Sequence, residues 1–267
     1  MPISERLRQL GSGVFGRVDG EKRIYRNSAQ QQQRPLIDLS LGSSDLKPPP
    51  RLLQVMAEAM VEPPSSRYCL QAATAPFRQA AAAWLEQRFG LSVDPEREIL
   101  LLVGSQEGTA HLPLAVLNPG DPALVLDPSY PSHAGGVALA SGQLVRLPLL
   151  ADQGWRPAFE QLSDEQRQQL RLLVLGYPHN PTATTGSQEW LEQAMAIAQQ
   201  SDAVLAHDNP YLDLALEGEA PALLRCEGWR ERGIEFFSFS KGWCLAGFRL
   251  AFAVGAPALI DALARVK

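Results

Sequence analysis

From about residue 99 onward, short apolar runs alternate with stretches of helical periodicity. The apolar runs lie at 99–103, 123–126, 172–175, 203–206, 235–239 and 250–254. Helices are expected between them, from Ser105 through Leu117, up to Ala140, and over 189–199. Uninterrupted apolar strands separated by helices are typical of a mostly parallel sheet covered on both faces. The pattern therefore predicts an α/β fold in three layers.

The residues before this region carry a weaker pattern. Residues 1–50 look irregular, and the glutamine run at 30–33 is expected to be an exposed loop. Apolar residues at helical spacing predict a helix over 51–61. A second, alanine-rich helix is expected from about Ala75 to Phe89, with Gly90 as its end. An N-terminal segment thus precedes the α/β part.

Composition narrows the class of protein. The chain has 267 residues, 45% of them hydrophobic and 20% charged, which is globular composition. A net charge of −5 gives no electrostatic reason to expect binding to nucleic acid or to an anionic membrane. No apolar run approaches the roughly 20 residues of a membrane-spanning helix. The scattered cysteines and the histidines show no metal-binding spacing, and the N-terminus has no signal-peptide core. We expect a cytoplasmic protein without a metal site.

Four polar segments follow predicted strand ends. They are Gly104–Gly108 (GSQEG), Tyr177–Thr182 (YPHNPT), His207–Tyr211 (HDNPY) and Ser238–Lys241 (SFSK). In a parallel sheet, ligands bind beyond the carboxyl ends of the strands. We therefore expect backbone donors, an amide, a carboxylate, a phenol and an amine to converge at one edge.

Those groups suit one kind of ligand. A lysine flanked by small hydroxyl residues, just past a buried strand, is partly desolvated, which favours a nucleophilic neutral amine. A carboxylate at a neighbouring strand end can pair with a protonated ring nitrogen. Gly104 and Ser105 at a helix start offer N–H groups to a phosphate. A phosphorylated pyridine aldehyde would use all of these groups.

The motifs give a specific resemblance. The segment SFSKGWCLAGFRLAFAVG matches the pattern S-x-S-K-x(5)-G-x-R, and GSQEG, DPSYP, YPHNPT and HDNPY occur in the same order as in the class I/II aminotransferases. RYCL at Tyr68 is a weaker match. The chain therefore resembles the fold-type I enzymes that use pyridoxal 5′-phosphate (PLP), and the stretch 88–121 is most like their LL-diaminopimelate aminotransferase branch.

The resemblance implies a role for each matched residue. Lys241 resembles the lysine that holds PLP as a Schiff base and moves the substrate proton. Asp208 resembles the partner of the pyridine nitrogen. Tyr211 resembles, with Asn180, a donor to the phenolic oxygen of the ring. The implied catalytic residues are Lys241, Asp208 and Tyr211.

The resemblance also implies the rest of the cofactor site. Tyr130 resembles the aromatic residue stacked on the pyridine ring. The phosphate cradle corresponds to Ser105, Gln106, Ser238 and Arg249, the last with a bidentate grip. In addition, Tyr68 resembles a tyrosine that reaches the phosphate in the partner subunit of a homodimer, and Gly42 belongs to a segment that closes over the substrate.

Each of these residues taken alone has an ordinary structural alternative. Lys241 and Arg249 would be surface residues, and Tyr130 would be core packing. Asp208 and Asn180 would belong to turns, since Asp-Asn-Pro and Asn-Pro are turn sequences. Only the combination of motifs favours the functional interpretation.

The sequence also departs from the family. The family has a C-terminal domain beyond this point, with an arginine for the α-carboxylate of the substrate, and neither is expected here. The chain is then a fragment, which we favour, a shortened relative, or a protein completed by another chain. Smaller departures are Ala73 and Ala183 where glycine is frequent, and Gly242 where a polar residue is frequent.

We therefore predict an aminotransferase that moves an amino group between an α-amino acid and a 2-oxo acid with PLP on Lys241. Residues 1–50 would form an N-terminal arm with a segment of an incomplete small domain, and 51–267 the PLP-binding large domain. The alternatives are a PLP lyase of the same fold and a non-catalytic PLP-binding module. A nucleotide-binding protein would need a glycine-rich motif that the sequence lacks.

Overall fold

The computed structural model describes residues 3–10 and 13–267, so the predictions for residues 1, 2, 11 and 12 lie outside the described residues. The chain divides into two compact units, one up to Ser44 and one from Asp45 to Lys267. Each unit is described by itself. Among the described residues, no helix combines the length and the apolar character that crossing a lipid bilayer requires.

The N-terminal unit contains three helices, so the expectation of irregular structure was wrong for the described residues before 34, whereas residues 34–49 are irregular as predicted. It contains α1 (Glu5–Gln9), α2 (Val14–Arg26) and α3 (Gln30–Gln33). The glutamine run is therefore a short helix instead of a loop. Lys22 on α2 lies 2.7 Å from Asp19 and 3.1 Å from Asp38, both measured from its Nζ to a carboxylate oxygen. Ion pairs, which apolar periodicity does not reveal, support this helix.

The second unit contains the predicted alternation of strands and helices. The helices predicted over 51–61 and 75–89 are confirmed, and Gly90 ends the second of them in the left-handed conformation, with φ +68°. In chain order the elements are α4 (Pro50–Met60), α5 (Ala75–Phe89), β1 (Ile99–Leu102), α6 (Ser105–Val116), β2 (Pro122–Asp127), α7 (Pro131–Leu139), β3 (Gln143–Pro148), α8 (Asp164–Gln169), β4 (Leu172–Leu175), α9 (Gln188–Ser201), β5 (Val204–Asn209), α10 (Trp229–Arg232), β6 (Gly233–Ser238), β7 (Ala251–Gly255) and α11 (Pro257–Val266).

Within residues 45–267, the strands form one sheet of seven in the order β1-β7-β6-β5-β4-β2-β3. The pairs from β3 through β2, β4 and β5 to β6 are parallel, while β7 is antiparallel to both β6 and β1. The mostly parallel α/β fold is thus confirmed. Because β2, β4, β5 and β6 are parallel, their carboxyl ends lie at the same edge of the sheet.

Apolar side chains from the two faces of the sheet form two separate cores. Strand residues that point to one face pack against α6, α7 and α11, whose buried residues include Leu112, Val137 and Leu263. Strand residues that point to the other face pack against α5 and α9, whose buried residues include Leu85 and Leu191. Successive side chains of a strand point to opposite faces. Neighbouring residues at the end of one strand can therefore serve different faces.

Candidate active site at the carboxyl edge of the sheet

Most of the predicted site residues lie at or just after the carboxyl ends of strands. Tyr130 follows β2, Asn180 follows β4, and Asp208 lies near the end of β5. Ser238 ends β6 and Lys241 follows it. The sheet topology therefore brings these segments to one edge, as the sequence predicts.

Asp208 is a buried carboxylate with only one satisfied oxygen. Its Oδ2 lies 3.2 Å from Nε2 of His133 on α7, and this nitrogen must be the donor because a carboxylate only accepts. Its Oδ1 is buried and has no hydrogen-bond partner among the described residues. A buried polar atom without a partner is uncommon and costs free energy. Asp208 thus retains an acceptor for a further donor.

Two phenols lie near this carboxylate. The Tyr130 hydroxyl donates to Oε1 of Gln106 at 3.1 Å, and Nδ2 of Asn180 donates to the Tyr211 hydroxyl at 3.2 Å. Burial, together with the negative charge of Asp208, raises the pKa of both tyrosines above the ordinary value. Both phenols therefore remain protonated at neutral pH.

Lys241 is half-buried, with its Nζ 5.9 Å from the centroid of the Tyr211 ring. Burial lowers the pKa of Lys241, and the positive charge of Arg249 lowers it further. Desolvation disfavours the charged ammonium, which raises the share of neutral amine. The environment of this lysine favours nucleophilic chemistry.

The guanidinium of Arg249 lies against the start of α6. A Cβ atom added to Gly104, which has φ +106°, would stand 2.2 Å from Nη2 of Arg249. Arg249 itself has φ +55°, and its Nη1 donates to the Ala246 carbonyl at 2.9 Å. Backbone N–H groups and the helix dipole at Ser105 and Gln106 favour an anion at the same place. A guanidinium at a helix N-terminus is a cradle suited to phosphate.

Two predicted site residues are not brought to this edge within the unit. Tyr68 has a side chain that is 95% exposed. Gly42 belongs to the N-terminal unit. Their predicted roles concern a partner subunit and substrate closure, and both stay predictions.

An apolar cavity of about 270 Å³ lies against the segment that follows β6. Aromatic residues dominate its lining, including Phe77, Trp84 and Trp243. Ser238 is the only predicted site residue in that lining. The cavity therefore borders the candidate site, with which it shares Ser238.

The residues at the edge fit PLP. The unpaired Oδ1 of Asp208 suits a protonated ring nitrogen, and the Arg249 cradle suits a phosphate. A partly desolvated amine and two neutral phenols complete the set of groups that a phosphorylated pyridine aldehyde needs. His133 contacts Asp208 as well. The sequence did not predict this role, because no motif distinguishes His133 from the other histidines.

Together, the parallel sheet and this edge define a PLP-binding α/β protein. The family model for aminotransferase class I and II matches residues 34–267. The chain belongs to the class I and II aminotransferase family.

Individual relatives agree with this family. The LL-diaminopimelate aminotransferase of Halothermothrix orenii is 33% identical over 268 residues, covering 100% of this chain and 68% of that protein. The glutamate-pyruvate aminotransferase of Escherichia coli is 34% identical over 90% of this chain and 58% of its own length. A probable N-succinyldiaminopimelate aminotransferase from Thermus thermophilus superposes with a TM-score of 0.88 at 41% identity, over 95% of this chain and 67% of that one.

Family members depend on PLP, so this chain is a PLP-dependent transaminase that uses amino acids and 2-oxo acids. The comparisons favour this activity over the lyase and over the non-catalytic module. The resemblance seen in the motifs is thereby confirmed.

Proposed function

We propose that Lys241, Asp208 and Tyr211 are the catalytic residues of this transaminase. Lys241 would bind the PLP aldehyde carbon, Asp208 would accept a hydrogen bond from the ring nitrogen, and Tyr211 with Asn180 would face the phenolic oxygen. The Oδ1 atom of Asp208 is the observation that carries the proposal, because it is a buried acceptor to which no described residue donates.

The remaining cofactor contacts follow from the cradle. Ser105, Gln106, Ser238 and Arg249 would hold the phosphate, and Tyr130 would cover one face of the ring and exclude water. The approach of the Arg249 guanidinium to Gly104 supports this assignment, since it places a positive charge next to the start of α6.

The chemistry of the chain's own residues can then be described. PLP, when bound, supplies an electron sink for the bonds at the substrate Cα. The neutral Nζ of Lys241 accepts the Cα proton and later returns it, which its lowered pKa favours. Tyr130 and Tyr211 keep their protons throughout, because burial raises the pKa of each phenol.

An absorbance spectrum of the 267-residue chain with PLP tests the lysine assignment. We expect a band from covalently bound cofactor that is lost in Lys241→Ala and retained in the matched control Lys47→Ala. A band of equal strength in Lys241→Ala would overturn the role of this lysine.

We propose that the amino donor carries an additional carboxylate. The names of some relatives support this, since they include diaminopimelate and aspartate aminotransferases. Adding glutamate, aspartate or diaminopimelate should convert the lysine-dependent band, and alanine should do so more slowly. Equal conversion by alanine would contradict the preference.

We also propose that the chain forms a homodimer, with Tyr68 reaching the phosphate in the other subunit. The exposed apolar residues Met60, Val61 and Leu70 near Tyr68 support a covered surface there. Sedimentation velocity over a range of concentrations should give a dimer. A monomer at all concentrations would contradict the proposal.

We propose that residues 1–50 act as an arm whose Gly42 segment closes over the substrate. Residues 51–267 would form the PLP-binding large domain. The protein would work in the cytoplasm. Gly42→Val should raise KM for the amino donor while leaving PLP affinity unchanged. Weaker PLP binding in this variant would contradict the division of roles. Fractionation of cells that express the chain tests its location.

A further inference from the structure

A second buried carboxylate lies next to the candidate site, on the neighbouring strand β6 and toward the other face of the sheet. Glu235 on β6 pairs in register with His207 on β5, and both side chains are fully buried. Asp208 is the next residue on β5 and points to the opposite face. A buried charge is tolerated only when donors satisfy it, so the contacts of Glu235 determine its effect.

Three donors satisfy the Glu235 carboxylate. Oε1 accepts from Nδ1 of His207 at 2.8 Å and from Nδ2 of Asn209 at 2.8 Å. Oε2 accepts from the backbone N–H of Leu224 at 3.1 Å. Nδ2 of Asn209 also donates to the Pro221 carbonyl at 3.1 Å. The carboxylate therefore joins β5 and β6 to the 221–224 segment.

The same contacts define the tautomer of His207. Its Nε2 accepts from the backbone N–H of Tyr177 at 3.1 Å, so Nε2 carries no proton. Nδ1 must then carry the proton that it donates to Glu235. Glu235 thereby orients the imidazole that holds the Tyr177 backbone, at the start of the segment that contains Asn180.

We propose that Glu235 is a positioning residue for the cofactor site. It holds both neighbours of Asp208 on β5, and through His207 it holds the backbone that leads to Asn180. It also lies on β6, the strand that leads to Ser238 and Lys241. One carboxylate thus fixes the segments that carry the proposed ring contacts. This inference rests on the proposed cofactor site.

Glu235→Gln is a sharp test because it keeps the size of the side chain and removes one acceptor. A glutamine offers one oxygen and one NH2 group. In either orientation of the glutamine amide, its NH2 group faces at least one of the three donors and cannot accept a hydrogen bond from it. If His207 changes tautomer instead, its Nε2–H opposes the N–H of Tyr177. At least one contact must open in every arrangement.

Amide hydrogen exchange of the chain without PLP reads the opening directly. We expect Glu235→Gln to speed exchange at Tyr177 or Leu224 by about tenfold or more, while amides of β2 exchange as before. Unchanged exchange at both residues would overturn the proposal. This readout does not need the cofactor, so it remains decisive even if the proposed function fails.

Cofactor binding reads the consequence for the site. We expect Glu235→Gln to weaken PLP affinity by about tenfold and to move the pH midpoint of the lysine-dependent band by about 0.5 unit or more. Leu205→Ala is the matched control, because Leu205 is fully buried on the neighbouring strand β5 and has no polar group. It should destabilise the chain without moving the midpoint. An equal shift in both variants would mean that Glu235 acts only through stability, and the proposal would be wrong.

A milder variant guards against loss of folding. Asn209→Ala removes one of the three donors and leaves the other two in place. We expect about threefold weaker PLP binding and faster exchange at Tyr177. Wild-type behaviour in both measurements would overturn the proposal. If the wild-type chain shows no lysine-dependent band, the proposed function fails, and the exchange result still decides whether Glu235 positions the Tyr177 backbone.

Discussion

Two buried carboxylates lie on neighbouring strands and serve opposite faces of the sheet. Glu235 on β6 has donors on both oxygens, supplied by His207, Asn209 and the Leu224 backbone. Asp208 on β5 receives one contact, from His133, and its other oxygen has no partner among the described residues. The burial of the two groups is similar, so burial alone does not separate their roles.

The difference lies in how completely each carboxylate is satisfied. A saturated carboxylate has no capacity for a ligand and contributes to holding the fold together. A carboxylate with an empty acceptor costs stability and gains a donor only when something binds. The comparison predicts opposite effects of substitution, with activity lost at Asp208 and stability lost at Glu235.

Asp208→Asn should have the largest effect on turnover. The amide is nearly isosteric but cannot hold a positively charged ring nitrogen, so we expect kcat/KM to fall by about 10²-fold or more. Stability should change by less than about 1 kcal/mol, because a buried charge is removed while the His133 contact can remain. Steady-state kinetics and thermal unfolding on the same preparation check both values. Activity within threefold of wild type would contradict the role of Asp208.

Glu235→Leu should have the next largest effect, on stability. The apolar side chain leaves the buried donors of His207 and Leu224 without an acceptor, while Asn209 keeps its contact with the Pro221 carbonyl, and each unpaired donor costs about 1–3 kcal/mol. We expect the free energy of unfolding to fall by about 3 kcal/mol or more in denaturant titration. Ile234→Val on the same strand is the control, with an expected loss of about 1 kcal/mol. Equal losses of unfolding free energy in the two variants would mean that the hydrogen bonds of Glu235 do not stabilise the fold.

The sequence predicts Asp208 but not Glu235, and the reason is physical. Asp208 lies in a motif because its ligand imposes the same groups at the same spacing. Glu235 meets its partners through strand pairing and through the 221–224 segment, which no local pattern reveals. An isolated glutamate within an apolar run reads simply as part of a strand.

The same limit applies to the fold. Buried parallel strands and the helices between them follow from apolar periodicity. Strand β3 was not predicted, because its residues at the sheet border are only partly buried. The helices before residue 34 were not predicted either, since ion pairs and not apolar periodicity support α1 and α2, and α3 consists of glutamines alone. Conversely, Ala183 has φ +62°, which explains why glycine is frequent at this position in the family.

Gly104→Ala tests the anion cradle beside Asp208. The added Cβ would collide with Nη2 of Arg249 and displace its guanidinium. We expect PLP affinity to fall by about tenfold, because a charge-assisted contact to phosphate is lost. Gly90→Ala is the control, since Gly90 also has positive φ but has no atom within 4 Å of the new Cβ. If both variants bind PLP equally well, Arg249 does not contribute to the cradle.

The smallest effect concerns the pKa of His179, a buried histidine on the segment that follows β4. Burial, followed by the influence of His133, lowers the pKa of His179 from 6.5 to about 4. His179 therefore binds a proton below pH 6.5 in the unfolded chain but only below about pH 4 in the folded chain. The free energy of unfolding consequently falls as the pH decreases from 6.5 to about 4. After allowance for solvent screening, we expect a loss on the order of 1 kcal/mol. His179→Asn, whose amide can replace the Nδ1 contact to Thr182, should reduce the loss between pH 6.5 and 4. Denaturant titrations across that range measure how the free energy of unfolding changes with pH. The same pH dependence in His179→Asn as in the wild-type chain would mean that His179 is not the group responsible for the loss of stability in acid.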